Sequence, residues 1–167
     1  MEITTVNQII AASSGLIGAL IGASVSGFVN YRIEHSKRDY EAKSFASGFL
    51  GEVTSLQMII RERRYLEEFE EYFQNESVQN GTERISYRIL IPEDYARFYN
   101  SNMNKVGLMG PIKTGKLIQY HQILQAIVQD FKPDSYLYIH GFDKEAIEQG
   151  ITLFTMALQL GDELLDG

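Results

Sequence analysis

The stretch that decides the fold is Ile9–Val29, IIAASSGLIGALIGASVSGFV, which contains no charged residue. As an α-helix, its 21 residues would extend about 31 Å, because each residue rises about 1.5 Å. This length matches the hydrocarbon core of a lipid bilayer. We therefore predict a transmembrane helix over residues 9–29, preceded by an extracytoplasmic amino terminus over residues 1–8.

Most of the small residues of this helix fall on one side of it when successive residues are placed 100° apart. They form two adjacent ridges with a spacing of four, one of Ser14, Gly18, Gly22 and Ser26 and the other of Ala11, Gly15, Ala19, Ala23 and Gly27. Small residues at this spacing let helix backbones approach closely inside a membrane. We interpret the segment as a membrane helix that packs against copies of itself, with Ser14, Gly15, Gly18, Gly22 and Ser26 as helix-packing or pore-lining residues.

Three other interpretations of this segment stay open: a cleaved signal peptide, a buried helix of a soluble protein, and a plain monomeric anchor. A signal peptide normally begins with a basic region, whereas MEITTVNQ has no basic residue and carries Glu2. Glycine and serine lower the hydrophobicity of the segment, which keeps the buried helix possible.

Charge predicts the orientation of the chain in the membrane. No Lys or Arg precedes the span, and Arg32, Lys37, Arg38 and Lys43 follow it closely. Cytoplasmic flanks carry the excess of basic residues, so we expect the amino terminus outside and the remaining chain in the cytoplasm. The absence of cysteine suits a reducing compartment.

The chain has a formal net charge of −7, and all fifteen of its basic residues follow the predicted span. A net acidic domain is not a general nucleic-acid binder, so we predict no general nucleic-acid binding. The part after the span is long enough for one compact domain.

Residues 30–75 contain no proline and only two glycines, Gly48 and Gly51. Apolar residues recur there in alternating steps of four and three, at Ala42, Ala46, Phe49, Val53, Leu56 and Ile60. This spacing predicts a long amphipathic helix over 30–75 that continues the membrane helix. It packs either on neighbouring copies or inside a monomeric bundle.

We predict a cytoplasmic helical domain over residues 76–167. Pro92 and Pro111 occupy favourable first positions of helices, and Asp143 is suited to the N-cap of a last helix. Ile112 and Tyr120 are among the residues of the Pro111 helix that we expect to face the core. Arg84–Ile91, RISYRILI, is a β-like run, either one extended segment or a small hairpin. The fold class is mainly α: one N-terminal transmembrane helix continuing into a long amphipathic helix, then a small helical bundle with at most one short β segment.

The strongest catalytic lookalike is GPIKTGK, residues 110–116, which matches the first part of a phosphate-binding P-loop. Leu117 stands where that motif needs Ser or Thr, and Pro111 removes a backbone N–H that a phosphate would use. We interpret the stretch as a glycine-flanked helix start.

The histidines show no metal-ligand spacing, and we interpret His121 as a structural residue with satisfied hydrogen bonds. The run of Glu67, Glu68, Glu70 and Glu71 is typical of a solvated helix face. We therefore predict that the protein is not an enzyme and needs no cofactor or metal.

Two basic groups are candidates for an anionic-ligand site. Arg61, Arg63 and Arg64 interrupt the apolar seam of the long helix, and Lys113 and Lys116 lie near the start of the Pro111 helix, where the helix dipole favours anions. The alternative is surface charge paired with nearby carboxylates.

The order of a single membrane helix, a long amphipathic helix and a small helical domain resembles a group of short bacterial membrane proteins. FYNSNMNKVGLMG (98–110) followed by LIQYHQIL (117–124) looks like a recurring pattern in that group. Membrane effectors of anti-phage defence, such as the Hailong type, are similar in design. The resemblance implies a pore that a nucleotide or oligonucleotide signal, or a partner protein, controls; it assigns no residue.

We therefore predict a homo-oligomeric inner-membrane protein that forms a pore or channel gated by its cytoplasmic helical domain. The alternative is a non-conducting membrane-tethered adaptor or regulatory subunit that recruits a protein partner. A holin-like or immunity protein is a third possibility.

Overall fold

The computed structural model describes the backbone of residues 2–166 and the side chains of residue 15 and residues 18–166. Within these residues the chain is mainly helical, which confirms the predicted fold class at that level. The α-helices are α1 (Glu2–Glu62), α2 (Tyr65–Phe73), α3 (Glu76–Gln79), α4 (Arg97–Ser101), α5 (Pro111–Asp130), α6 (Tyr136–His140) and α7 (Lys144–Asp166), and a 3₁₀ helix covers Met103–Met109. The chain divides into two compact units, an amino-terminal unit (Met1–Lys43) and a carboxyl-terminal unit (Ser44–Gly167).

The predicted membrane span lies in the amino-terminal unit. Among the residues that the structure describes, no helix has an apolar segment long enough to cross a bilayer. The side chains of residues 9–14, 16 and 17, and with them Ser14, lie outside the described residues. The span and the predicted boundaries after residues 8, 29 and 75 therefore remain predictions.

Two polar contacts of the amino-terminal unit join side chains one helical turn apart. Arg38 pairs with Glu34 at 2.7 Å, and His35 Nδ1 lies 3.0 Å from an Asp39 carboxylate oxygen. Such pairs stabilise an isolated helix by only about 0.2–0.5 kcal/mol each. Every residue from 18 to 40 is exposed, so these residues contribute no core.

The carboxyl-terminal part of α1 packs into the second unit. Phe49, Val53 and Ile60 of the predicted seam are buried. The helix ends at Glu62, and Arg64 adopts a left-handed conformation with φ of 54° before α2 begins. The single helix predicted over 30–75 is therefore two helices, because this break turns α2 so that Phe69 enters the core.

The core forms where α1, α2 and α5 pack around α7. Small residues on α7, Ala157 and Gly161, are buried. The Gln57 side chain from α1 occupies the space that a Cβ at Gly161 would fill, and its amide donates a hydrogen bond of 2.8 Å to the Leu158 carbonyl. α1 and α7 therefore approach closely at this point.

The residues that predicted the starts of α5 and α7 are Pro111 and Asp143, and both predictions are confirmed. Pro111 is the first residue of α5, and the Asp143 carboxylate accepts a hydrogen bond of 3.0 Å from the Ala146 N–H at the start of α7. The prediction that Ile112 faces the core is wrong, since it is 76% exposed. Ile112 precedes buried Leu117 by five residues, which places the two about 140° apart around the helix.

Residues 83–92 form an extended connector without a β-strand among the described residues. Its only β contact there is an antiparallel bridge between Ile85 and Phe142. Residues 93–96 form a turn, and α4 is shorter than the helix that we predicted from Pro92. The reason is that the Pro92 carbonyl accepts from the Tyr95 N–H and closes a turn instead of a helix.

Two glycines of α1 predict opposite effects of the same substitution. A Cβ at Gly48 would overlap the Phe98 ring, whereas a Cβ at Gly51 would meet nothing within 4 Å. We expect Gly48→Ala to lower the free energy of unfolding by about 1–3 kcal/mol through overpacking. Gly51→Ala should raise it by about 0.5–1 kcal/mol, because alanine loses less entropy in a helix. Urea unfolding of the full chain in detergent measures both, and equal effects would contradict this packing.

Candidate functional site

A cleft of about 850 Å³ in the carboxyl-terminal unit is the candidate functional site. It lies between the connector at residues 88–93, residues 95–100, α5 and residues 131–138. Its volume falls in the range of small-molecule sites, about 300–1,000 Å³. Its wall combines tyrosines, side-chain amides and charged groups of both signs, and these include Tyr99, Asn100, Gln125, Gln129, Arg88, Lys132, Glu93 and Asp134.

Glu52 of α1 holds one side of this cleft in place. Its two carboxylate oxygens accept hydrogen bonds from the backbone N–H groups of Phe98 (2.7 Å) and Tyr99 (2.9 Å). The residue before α4, Ala96, offers no side-chain cap. Glu52 therefore supplies from another helix the cap that α4 lacks in its own sequence.

His121 of α5 lies beneath the cleft and is 4% exposed. Its ring stacks on Tyr99 with centroids 3.8 Å apart and planes tilted by 16°. Neither ring nitrogen has a hydrogen-bond partner among the described residues. Nε2 lies 3.8 Å from a Glu52 oxygen, which is too far for a hydrogen bond. The expectation that the hydrogen bonds of His121 are satisfied is therefore wrong.

Burial sets the protonation of His121, Tyr95 and Tyr99, which form a cluster of rings at this side of the cleft. It lowers the pKa of His121 to about 4, so the imidazole is neutral at pH 7 and forms no ion pair with Glu52. Burial also raises the pKa of Tyr95 and Tyr99, so both phenols stay protonated. The cluster is thus neutral and lies beside the Glu52 carboxylate, which is 11% exposed.

A neutral imidazole offers one N–H donor and one nitrogen acceptor. Leaving such groups buried without partners costs about 1–3 kcal/mol each. Both ring nitrogens of His121 are shielded from the cleft, so a ligand there would contact the tyrosines, amides and charged groups of its wall. Within the described residues, no group of three or more His, Asp or Glu side chains is placed to hold a metal ion.

The five basic residues of the predicted anionic-ligand site do not gather at this cleft. Arg61 binds both carboxylate oxygens of Asp162 at 2.7 Å, and Lys116 pairs with Glu163 at 2.9 Å. Asp162 and Glu163 are neighbours on α7, so these pairs join α1 and α5 to the end of α7. Lys116 also lowers the pKa of the exposed Glu163 carboxylate.

The remaining basic residues lie elsewhere. Arg64 pairs with Glu71 at 3.2 Å beside a surface groove whose acidic lining is Glu67, Glu70, Glu71 and Glu148. The negative charges of these glutamates would repel an anionic ligand. Arg63 is exposed and Lys113 half-buried. An anionic ligand for these five residues remains a prediction.

The predicted helix-packing residues lie on an open surface of the amino-terminal unit. Gly15, Gly18, Gly22 and Ser26 are exposed, and a Cβ at any of these glycines would meet nothing within 4 Å. Ser14 falls outside the described residues. The described part of the ridge is thus free to contact another molecule.

Sequence reasoning did not assign a role to Glu52, Tyr99 or the cleft. The signal that could have found them is a polar side chain inside an apolar seam. Glu52 stands beside buried Val53 on α1, and His121 lies among buried Leu117 and Leu124 on α5.

No family model, no curated protein and no solved structure matches this chain.

His121→Phe should flatten the pH dependence of stability. Because the pKa of His121 is about 4 in the folded chain and about 6.5 in the unfolded chain, the unfolded state binds more protons between these values. Stability conferred by the neutral ring is therefore complete above pH 6.5 and falls as the pH drops towards 4. Phenylalanine keeps the stack on Tyr99 and does not titrate.

Urea unfolding of the full chain at pH 7.5 and pH 5 measures this effect. Between the two pH values, the wild type should lose about 2 kcal/mol more than His121→Phe, at about 1.4 kcal/mol per pH unit. His140→Gln, at an exposed position, is the control and should keep the wild-type loss. An unchanged loss in His121→Phe would contradict this reading of the cluster.

Proposed function

We propose that the protein is a non-enzymatic, homo-oligomeric membrane protein of the bacterial inner membrane, and that it forms a pore gated by its cytoplasmic helical domain. One observation carries the proposal. Five large apolar side chains of α1, at Leu20, Ile21, Val25, Phe28 and Val29, are 45–61% exposed. An uncovered apolar helix is unfavourable in water, so lipid and other copies are the natural cover.

The distribution of small residues favours contact with other copies of the chain over contact with lipid alone. Gly18 and Gly22 have open space where a Cβ would stand, and Ser26 continues their ridge one turn further. Lipid gains nothing from such a ridge, whereas a second helix can approach it closely and gain van der Waals contact. We therefore assign the ridge to the contact between copies.

A pore is favoured over a plain anchor by the resemblance to membrane effectors and by the serine hydroxyls of the ridge. The span has no charged side chain. Hydroxyl groups and pore diameter would then set selectivity, and dewetting of a narrow apolar passage would hold the pore closed. The amino terminus lies outside in this arrangement and the helical domain in the cytoplasm.

The cleft beside His121 is the proposed control site. Its wall offers aromatic faces, side-chain amides and charged groups of both signs to a ligand. Glu52, which caps the cleft side of α4, is a residue of α1 itself. A nucleotide or oligonucleotide signal or a partner protein remains the proposed trigger.

Substitution of the ridge should abolish both assembly and conductance. Gly18→Leu and Gly22→Leu insert bulk between helix backbones, so we expect each to reduce the oligomer to smaller species. Native mass spectrometry in detergent and current through planar bilayers are the two measurements.

Ser24→Leu is the matched control, because Ser24 lies among the bulky residues on the opposite half of the helix and bonds only the Leu20 carbonyl of its own helix. It should keep oligomer size and current. Unchanged mass and current in both glycine variants would reject the proposal. A wild-type oligomer that stays silent in bilayers under every trigger would assign the adaptor function instead.

A further inference from the structure

The turn after α3 contains the one asparagine of the chain that a glycine follows, Asn80 before Gly81. Both residues are exposed. Gly81 has a φ of 69°, in the left-handed region that glycine adopts readily, and a Cβ there would meet nothing within 4 Å. The peptide bond between the two residues is therefore open to water.

An asparagine in this position loses its side-chain amide without an enzyme. The backbone nitrogen of the glycine attacks Cγ of the asparagine, and the new C–N bond closes a five-membered succinimide ring. The bond between Cγ and Nδ2 breaks, and ammonia leaves with the proton of the attacking nitrogen. Water then opens one of the two ring carbonyls and yields aspartate or isoaspartate. Glycine favours the attack, because no side chain shields its nitrogen.

The turn holds the attacking nitrogen away from Cγ. The Gly81 N–H donates a hydrogen bond of 3.0 Å to the carbonyl of Val78, whose side chain is fully buried. At Asn80 ψ is −1°, so the Gly81 nitrogen eclipses the backbone nitrogen of Asn80 and not its Cβ. Ring closure requires the Gly81 nitrogen to leave Val78 and rotate towards the Asn80 side chain. The reaction therefore needs the turn to open.

A few local hydrogen bonds keep this turn closed. Asn75 caps α3, because its side-chain oxygen accepts from the Ser77 N–H at 2.9 Å. The Ser77 carbonyl accepts from the Thr82 N–H at 2.9 Å and from the Thr82 hydroxyl at 3.0 Å. A helix of four residues has little stability of its own. These bonds therefore set how often the turn opens while the rest of the chain stays folded.

We propose that Asn80 is a site of spontaneous deamidation, and that opening of α3 and the turn after it sets the rate. The reaction consumes one water and releases one ammonia, and it replaces a neutral amide by a carboxylate. In the isoaspartate product the main chain between residues 80 and 81 is one atom longer. That extra atom displaces the bond that Gly81 makes to Val78, so the modified turn does not close in its original form.

Mass spectrometry of the full chain in detergent at pH 7.5 and 37 °C measures the reaction, because exchange of an amide for an acid raises the mass. Fragmentation of the peptide that contains residue 80 locates the change. We expect Asn80 to react about tenfold more slowly in the native chain than in urea, which corresponds to about 1.4 kcal/mol for opening the turn.

Variants at Asn75 test the role of α3 and leave the reacting residues unchanged. Asn75→Ala removes the cap, and we expect Asn80 to react about fivefold faster in the native chain, in line with the about 1 kcal/mol that a cap contributes. Asn75→Asp is the matched control: aspartate also caps helices, so it should keep the wild-type rate. In urea all three chains should react at the same rate, because position 75 takes no part in the chemistry.

Equal rates in the native chain and in urea would overturn the inference, since the turn would then give no protection. A native rate that is the same in Asn75→Ala as in the wild type would also overturn it, because opening of α3 would not set the rate. A native chain that stays unmodified at Asn80 while the chain in urea reacts would overturn the assignment of the site.

Discussion

The carboxylate of Glu52 is the contact on which the arrangement of the carboxyl-terminal unit depends. It is 11% exposed and accepts N–H groups from Phe98 and Tyr99. Through these bonds α1 holds the turn and short helix that follow the extended connector, and it keeps Tyr99 against His121. Without the carboxylate, two N–H groups at the start of α4 would lose their partners, at a cost of about 1–3 kcal/mol each.

One surface of the single chain is unusual for a protein that works alone. The amino-terminal unit exposes large apolar side chains such as Leu20 and Phe28. Isolated proteins avoid large exposed apolar patches, since these promote association. The proposal of a homo-oligomer in a membrane follows from this exposure, because lipid and neighbouring copies would cover these side chains.

The sequence predicted those parts of the fold that depend on neighbouring residues. Pro111 and Asp143 mark the starts of α5 and α7 through local geometry and hydrogen bonding. It did not predict the cap on α4, because Glu52 lies 46 residues before Phe98 and only the tertiary fold brings them together. The same holds for the unpartnered nitrogens of His121, since a core position alone does not say which groups surround a ring.

The most direct test of the central claim uses nitroxide labels on single cysteines introduced at each position from 15 to 29, in the full chain in liposomes. The account predicts that oxygen reaches the labels more readily than a water-soluble nickel complex throughout. It also predicts that labels at Gly18 and Gly22 break the oligomer, because they insert bulk into the ridge, whereas labels at Leu20 and Ser24 on the opposite half of the helix keep it. High accessibility to the nickel complex along the segment, or loss of the oligomer without the period of a helix, would contradict it.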